Sequence, residues 1–442
     1  MLKNLTLIVL LGCSVQAAFA DKWRDPTTGI TWTYDILESG SVCLFHDDFK
    51  YPAVSPQTMK HLDIPSHLGG LPVTDLYPNA FQDCINLTSV TIPAMVTNIC
   101  GRRVFRGCDK LVSIDVAADN PVYKSVDGFV CTKDGKTLVI GKGGDVTIPR
   151  QVKQIGEFAF SYEQRLRSIS IPFGVESIAN EAFACCRGLA SATISSSVKT
   201  IGPNAFSDCE QLSKVTLSEG LRTIDRSAFR GCEELTELTV PSTVESIGEG
   251  AFVGCSKLNS IEFGKGLRHI GERSFAECKA LTSLTFPYGI TTIDKLAFAG
   301  CERLSVVTLP RSVNKVGDGA FRDDYMLGRV FIAKGDTFRM SQILAGSNAP
   351  IGRLVECDLD EGSSRWGVFA ALVVLLVAAV GVGVLMFYRK HIRNRRKGAV
   401  ETQQAIVITC PHCGESCETE MELQVGQRIQ CPFCDGIFEY GG

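Results

Sequence analysis

Histidine and tryptophan are scarce in this sequence, with 6 and 3 among 442 residues. Four histidines precede residue 366: His46, His61, His67 and His269. None of them recurs in a pattern or stands beside a nucleophile motif, and the G-x-S-x-G, H-E-x-x-H and P-loop patterns are absent. We therefore expect a protein that is not an enzyme, and we assign no catalytic residue.

A strong charge of one sign is also missing. The 45 basic and 48 acidic residues leave a formal net charge of -3, which gives no reason to expect nucleic-acid binding. Basic residues cluster once, between Arg389 and Lys397. Membrane topology and anionic lipid headgroups are sufficient to explain that cluster.

Long uncharged apolar runs are rare, and the first is too short to cross a bilayer. Leu5–Leu11 follows Lys3 and precedes the small residues Ala18 and Ala20, which is the layout of a cleaved secretory signal over residues 1–20. A lipoprotein signal ending at Cys13 is the alternative. Either signal predicts that the following residues are exported.

The second apolar run, Trp366–Tyr388, is long enough to cross ~30 Å of hydrocarbon at ~1.5 Å per residue. The basic cluster follows it directly, so the positive-inside rule places the C-terminus in the cytosol. The leader independently places the N-terminus outside. We expect a single-pass protein of the plasma (inner) membrane, whose exported part is at the cell surface or, in a bacterium with two membranes, in the periplasm.

Phenylalanine recurs with a fixed period of 23 residues, which indicates a repeat architecture. The period holds through Phe160, Phe183, Phe206, Phe229, Phe252, Phe275, Phe298 and Phe321. Phe81 and Phe105 continue the series upstream, before an insertion. These anchors predict ten coils stacked at ~4.8 Å, because a single coil cannot bury its own apolar side.

The coil 235–255 illustrates the repeat. Its expected inward side chains are Leu235, Leu238, Val240, Val244, Ile247 and Phe252. Pro241 ends the short strand, because proline cannot donate to a continuing ladder. Gly248 is expected to permit a tight turn, and Cys255 to act as a small buried side chain at the corner.

The repeat pattern L-x-x-V-x-L-P-x-x-V-x-x-I-G-x-x-A-F-x-x-C resembles the BspA-like leucine-rich repeats of bacterial surface proteins, over about Leu62–Ile332. The insertion 117–147 resembles the hairpin island of that family, and its Asp-Gly turns favour a hairpin independently. The resemblance implies a leucine-rich-repeat solenoid of β-rich 23-residue coils. Three positions depart from the pattern: Glu163 and Asp324 replace the corner cysteine, and Ser274 replaces the alanine before phenylalanine.

Eight cysteines stand three residues after a repeat phenylalanine, and we refer to them as the corner cysteines. They are Cys84, Cys108, Cys186, Cys209, Cys232, Cys255, Cys278 and Cys301. Neighbouring coils would bring their Cα atoms within disulfide range, yet one inward-pointing row makes bridging strained. We predict buried free thiols. A capping disulfide among the remaining cysteines 43, 100, 131, 185 and 357 stays open.

One outward position per strand forms a row that we call the strand face. Its candidate binding residues are Ser170, Thr193, Thr216, Thr239, Glu262, Thr285 and Thr308. This row is polar, nearly uncharged and rich in hydroxyl groups, which suits hydrogen bonding to a glycan or an extended protein segment. The alternative is that threonine simply fits half-exposed strands.

Two Cys-x-x-Cys pairs near the C-terminus are separated by 17 residues. Four thiolates at such a spacing suit a closed tetrahedral zinc site, with redox disulfides as the alternative. The predicted structural zinc ligands are Cys410, Cys413, Cys431 and Cys434. Short strands are expected at 406–409, 422–425, 428–430 and 437–440, and the segment resembles small bacterial zinc-ribbon modules. So short a segment would need the metal in order to fold.

The expected order along the chain is signal peptide 1–20, N-terminal capping region 21–61, leucine-rich-repeat solenoid 62–333, C-terminal cap and juxtamembrane linker 334–365, transmembrane helix 366–388, basic cytosolic linker 389–405 and zinc ribbon 406–442. This order predicts a membrane-anchored, non-enzymatic interaction protein whose exported solenoid binds protein or glycan partners. The alternative is a transmembrane sensor that relays binding to cytosolic partners through the zinc ribbon. Nucleic acid is not an expected partner.

Overall fold

The computed structural model describes residues 21–45, 51–99 and 103–359, and four short strands between residues 406 and 439. The expected signal peptide, the apolar run 366–388, the basic linker and the four zinc-ligand cysteines lie outside the described residues. The chain divides into two compact units, Met1–Ser363 and Ser364–Gly442. Within the described residues, no helix combines the length and the apolar composition that crossing a bilayer requires.

The first unit begins with a small mixed sheet. Strands β1–β4 are Asp21–Arg24, Thr31–Ile36, Val42–Leu44 and Val54–Ser55. Strands β5–β10 are His61–Asp63, His67–Leu68, Leu71–Leu76, Ser89–Ile92, Asn98–Ile99 and Ser113–Val116. β2 pairs antiparallel with β1, β3 and β4 and buries Trp32 against them, while β3 pairs in parallel with β7 and so continues into the first coils.

The island predicted at 117–147 is a three-stranded antiparallel meander. β11 is Tyr123–Val126, β12 is Phe129–Thr132 and β13 is Thr137–Ile140. Asp127 and Gly128, both with positive φ, connect the first two strands, as the Asp-Gly signal predicts. β13 pairs in parallel with the first strand of the following coil, so the island extends the solenoid instead of standing apart from it.

Each later coil contains a longer strand and a two-residue strand. The longer strands are β15 Ser168–Ile171, β17 Ser191–Ile194, β19 Lys214–Leu217, β21 Glu237–Thr239, β23 Ser260–Glu262, β25 Ser283–Thr285 and β27 Val306–Thr308. The short strands are β14 Gln154–Ile155, β16 Ser177–Ile178, β18 Thr200–Ile201, β20 Thr223–Ile224, β22 Ser246–Ile247, β24 His269–Ile270, β26 Thr292–Ile293 and β28 Lys315–Val316. The short strands and the island form one 11-stranded sheet, whereas the longer strands pair in parallel in several smaller sheets.

The repeat phenylalanines form a stack through the solenoid interior. Successive rings from Phe160 to Phe321 lie 4.9–5.9 Å apart, centre to centre, and within 10° of parallel. The backbone at this corner is also paired between coils, since the Phe183 N–H donates to the Ala205 carbonyl at 2.7 Å. A third hydrogen-bonded row therefore supports the rows of short strands and longer strands, and each coil depends on its neighbours.

The solenoid has about 12 turns instead of the ten that the phenylalanine anchors predict. The island supplies backbone at the phenylalanine corner without a phenylalanine, because the Gly141 N–H donates to the Ala159 carbonyl at 2.6 Å. At the other end the Phe321 N–H donates to the Ser347 carbonyl at 2.9 Å. Counting repeat phenylalanines misses both turns, since neither has a phenylalanine at the corner position; in the island, Phe129 packs edge-on against Phe160 from β12 instead.

Within the described residues of the first unit, the α-helix lies in the last turn. β29 is Arg329–Ala333, α1 is Thr337–Ile343, a 3-10 turn spans Ile351–Arg353, and β30 is Leu354–Cys357. β30 pairs in parallel with β29 and forms the end of that sheet. Met340 of α1 is buried beneath the final coil, so α1 closes the end of the core.

Gly248 is required for a reason other than the expected tight turn. Its φ is not in the left-handed region, but a Cβ added there would lie 2.7 Å from the backbone nitrogen of Arg226 in the preceding coil. Gly202, Gly271 and Gly317 hold equivalent positions and meet the preceding coil in the same way. Glycine here allows coils to approach closely.

The second unit is described only as four strands. β31 Ile406–Thr409 pairs antiparallel with β32 Ser416–Thr419, and β33 Arg428–Gln430 pairs antiparallel with β34 Ile437–Glu439. Three of these strands lie where the sequence predicts them. β32 was not predicted, and the strand predicted at 422–425 lies outside the described residues.

Candidate interaction face

The structure brings the predicted strand face together in one row on the longer strands. Ser170, Thr193 and Thr216 are direct neighbours in parallel register, as are Thr239 and Glu262, and Thr285 and Thr308. The first five are exposed and the last two are half-buried. The residues on either side of each point inward, so the row is the outer surface of the strands.

A second outward row runs beside the strand face. It contains Ser168, Ser191, Lys214, Glu237, Ser260 and Ser283, and it ends at Val306, which is buried. Across both rows the charged side chains are Lys214, Glu237 and Glu262, so hydroxyl groups dominate a nearly neutral surface. Such a surface offers hydrogen-bond donors and acceptors without a strong field.

Two exposed aromatic rings on the turn after the longer strands were missed from the sequence. Phe173 is 79 % exposed and Tyr288 is 51 % exposed. Each stands between a proline and a glycine with positive φ, in the local sequences Pro-Phe-Gly and Pro-Tyr-Gly. That local pattern is a turn signal and could have identified both rings as outward-facing.

The corner cysteines are buried free thiols, as predicted. From Cys108 onward, each Sγ donates to the carbonyl of the phenylalanine 26 residues earlier, or 27 for Cys108, at distances from 2.9 Å for Cys186 to 3.4 Å for Cys301. Burial raises the pKa of the Cys255 thiol to about 12 and raises the pKa of Cys232 as well. The thiols from Cys108 onward therefore stay protonated and support stacking, whereas the hydrogen bond with Cys108 lowers the pKa of Cys84.

The two carboxylic acids that replace corner cysteines are both affected by burial. Burial raises the pKa of Glu163 to about 8, with Asp109 adding to the rise and Arg165 opposing it. Burial likewise raises the pKa of Asp324 to about 8. The Asp324 carboxylate accepts the Cys301 N–H at 2.8 Å, whereas its second oxygen, Oδ2, is buried without a hydrogen-bond partner.

Metal-binding side chains do not gather in the part of the chain that the structure describes, where no three His, Cys, Asp or Glu residues form a group. His61 bonds to Ser89 and Asp63 through its two ring nitrogens. In the second unit, Thr409 is paired with Ser416, and Gln430 with Ile437. Each hairpin connection therefore contains one Cys-x-x-Cys pair in the sequence.

The remaining cysteines give no disulfide in the described residues 103–359. Cys131, Cys185 and Cys357 are free thiols there, and Cys100 lies outside the described residues. Tyr162 bonds to the Cys185 side chain, and burial raises the pKa of that thiol.

Comparison with known proteins identifies the repeat. A family model described as the BspA type leucine rich repeat region, with six copies, matches residues 58–126, 143–245 and 222–342. No curated protein matches the chain.

Several solved structures resemble the chain. A leucine rich cell surface protein from Faecalibacterium prausnitzii A2-165 is 24 % identical, with 74 % of this chain and 98 % of that chain covered and a TM-score of 0.39. A leucine-rich repeat protein from Eubacterium ventriosum is 18 % identical, with 69 % and 95 % covered and a TM-score of 0.42. One from Bacteroides ovatus is 20 % identical, with 78 % and 100 % covered and a TM-score of 0.31.

Proposed function

This chain belongs to the BspA-type leucine-rich repeat family, and on that premise we propose that it is a membrane-anchored, non-enzymatic interaction protein. Its exported solenoid binds a protein or glycan partner through the strand face. The repeat fold supports a binding role, because stacked coils present an extended surface that a single compact domain does not offer.

The observation that carries this proposal is the composition of the strand face over successive coils. Ser170, Thr193 and Thr216 stand in strict register, so a ligand lying along these three coils meets a hydroxyl at each of them. The backbone of the strands is already paired, which leaves the side chains as the recognition groups. The small number of charges favours a neutral or weakly polar ligand.

Charge introduced into the strand face tests the proposal. Replacing Thr193, Thr216 and Thr239 by lysine puts three ammonium groups in one exposed row, and we expect binding to a printed array of glycans and extracellular proteins to be lost. The matched control replaces Thr200, Thr223 and Ser246 by lysine, on the short strands of the same three coils, where Lys315 already occurs. Equal binding by both triple variants would refute the assignment of the face.

The anchor is proposed from the apolar run 366–388 and the basic cluster after it. In this arrangement the solenoid is outside the plasma (inner) membrane and the C-terminal segment is cytosolic. External protease added to intact cells should remove the solenoid and spare an epitope at the C-terminus. In a bacterium with two membranes, this cleavage should require removal of the outer membrane.

The cytosolic segment is proposed to be a zinc ribbon held by Cys410, Cys413, Cys431 and Cys434. What supports this is that each Cys-x-x-Cys pair falls in the connection of an antiparallel hairpin, as a four-thiolate ribbon requires. Native mass spectrometry should find one zinc ion per chain, lost in Cys410→Ser and kept in Cys417→Ser, whose cysteine is in strand β32. Zinc retention in Cys410→Ser would contradict the ligand set.

A folded cytosolic module favours the second candidate function, a transmembrane sensor or scaffold that relays binding at the solenoid to cytosolic partners. A protein that only anchors a solenoid has no use for such a module. Proteins captured by the full chain but not by the Cys410→Ser chain would support this role. If both chains captured the same proteins, the sensor role would be rejected and only the anchoring role would remain.

A further inference from the structure

Large exposed apolar side chains are concentrated at the C-terminal end of the solenoid. Among the described residues, five of the twelve large hydrophobic side chains that are exposed fall within the last turns. These five residues, which we call the end patch, are Tyr325, Met326, Phe338, Ile351 and Val355. The other seven are spread from Ile36 to Tyr288, so the end patch is a local feature of the final turns.

The end patch is held on a rigid support. Tyr325 and Met326 lead into β29, and α1, the 3-10 turn and β30, which carry the other three residues, all pack against β29. Arg339 of α1 donates to the carbonyls of Val313 and Arg311 in the preceding coil and pairs with Asp336. Since Met340 is buried on the inner side of α1, Phe338 is held outward by packing and does not belong to a frayed end.

The degree of exposure is unusual for these side chains. Tyr325 is 83 % exposed, Phe338 77 % and Met326 61 %. Transfer of each of these side chains out of water would be favourable. Exposed apolar side chains concentrated in one part of a fold mark a contact surface. Tyrosine in particular favours the boundary between lipid headgroups and acyl chains, because its ring is apolar and its hydroxyl can stay in water.

The connection to the apolar run limits how far this surface can be from a bilayer. The last described residue of the first unit is Leu359, and the run begins at Trp366. Seven residue steps span at most about 25 Å, even when fully extended. Arg329, Lys334 and Arg353 in the last turns are offset by Glu356 and Asp358, so no large net charge opposes approach to lipid headgroups.

We propose that the end patch rests in the headgroup layer of the membrane that anchors the chain, with Tyr325, Met326 and Phe338 inserted. This proposal rests on the membrane anchor under Proposed function. The lipid surface holds the end of the solenoid, where Val355 continues the row of Thr308, and leaves the strand face of the earlier coils free for a partner. The solenoid is thereby oriented by its own last turn and not only by its linker.

Tryptophan quenching in the full chain tests the proposal. The chain is reconstituted into phosphatidylethanolamine–phosphatidylglycerol vesicles, with or without brominated acyl chains that quench nearby tryptophan. Phe338→Trp and Tyr325→Trp each add one ring to the end patch, and Phe173→Trp is the control, because Phe173 is 79 % exposed on a turn far from the end. We expect bromine to reduce the added fluorescence at least about twofold for the first two variants and to leave the control unchanged, since interfacial side chains reach the acyl boundary.

An alkaline carbonate wash followed by flotation separates failure of the anchor from failure of the end patch. Release of the chain from the vesicles would overturn the anchor and, with it, the end-patch proposal. A retained chain whose Phe338→Trp and Tyr325→Trp fluorescence is quenched no more than that of Phe173→Trp would overturn the end-patch proposal alone. Equal quenching of all three variants would also overturn it, because the solenoid would then lie along the membrane.

Discussion

Asp324 should make the solenoid less stable as the pH rises, and Asp324→Asn should remove the part of the pH dependence that Asp324 causes, leaving the part due to Glu163. Asp324 stands where other coils have a corner cysteine, and it accepts the Cys301 N–H at 2.8 Å while its Oδ2 has no partner. Burial raises the pKa of Asp324 to about 8, with Asp323 adding to the rise. At neutral pH the native state therefore keeps a proton that the unfolded chain releases.

The sign and size of the effect follow from this difference. An ordinary aspartate has a pKa of 3.8, so between pH 4 and pH 8 the native state binds more protons than the unfolded state, and stability falls as pH rises through that window. A difference of about 4 pKa units at 1.36 kcal/mol each gives a loss of at most ~5–6 kcal/mol above pH 8. Below pH 4 both states are protonated and the loss disappears.

Asparagine has nearly the same shape as the protonated acid and does not titrate. Its oxygen can accept the Cys301 N–H, and its amide supplies a donor where the orphan Oδ2 lies. We expect wild type and Asp324→Asn to have similar stability near pH 4.5, and the variant to be more stable by several kcal/mol at pH 9. The control is Asp318→Asn, which removes an exposed carboxylate from the same coil and should follow wild type.

Thermal unfolding followed by circular dichroism between pH 4.5 and pH 9 measures the difference. Because stacked coils can open locally from one end, amide exchange of the Cys301 N–H should be compared between variants at each pH. If Asp324→Asn and wild type lose stability in parallel as pH rises, the buried acid is not protonated in the native state. The interpretation of Asp324 would then be wrong.

Three further predictions concern the interior. Phe229→Ala removes a ring stacked at 5.2 Å on both sides and should cost ~3–5 kcal/mol of unfolding free energy, whereas Phe173→Ala on the surface should cost under ~0.5 kcal/mol in the same denaturant titration. Gly248→Ala places a Cβ 2.7 Å from the Arg226 nitrogen and should lower the melting temperature, while Gly352→Ala, with open space around it, should not. The corner cysteines should resist alkylation in the folded chain and react once it is denatured without reductant; a denatured count near zero would mean that they are disulfides.

The sequence was sufficient to predict those features in which the same side chain recurs in every coil. The 23-residue period located the phenylalanine stack and the corner cysteines, and the inward positions of each strand, such as Leu238 and Val240, located the strand face between them. These predictions succeeded because every coil places the same side chain in the same environment, so ten observations support one inference. The outward row Thr193, Thr216 and Thr239 follows from the inward one by alternation alone.

Features that depend on the backbone of a neighbouring coil could not be read from the sequence. The two-residue strands such as Ser246–Ile247 are too short to show a period of two, although they build the largest sheet. The role of Gly248 depends on the position of Arg226 in the coil before it. The turns without phenylalanine were missed for the same reason, because their contribution to the stack is a backbone hydrogen bond.

Two coils have an acid, Glu163 or Asp324, in place of the corner cysteine. The hydrogen bond that the thiol makes in the other coils shows how the setting of these two acids differs. In the regular coils a corner cysteine donates to the phenylalanine carbonyl 26 residues earlier, so it is useful only where such a carbonyl exists. In the turn before Glu163, Gly141 of the island holds the phenylalanine position, and the Glu163 carboxyl lies beside Gly143.

Asp324 has a phenylalanine at the required place, since Phe298 is 26 residues earlier. A carboxylate there would oppose the carbonyl, whereas a protonated acid can donate to it as a thiol does. The orphan Oδ2 and the raised pKa of Asp324 agree with that requirement. It follows that Asp324→Cys should restore the thiol hydrogen bond of the repeat and remove the part of the stability loss with pH that Asp324 causes, while the part caused by Glu163, whose pKa burial raises to about 8, should remain.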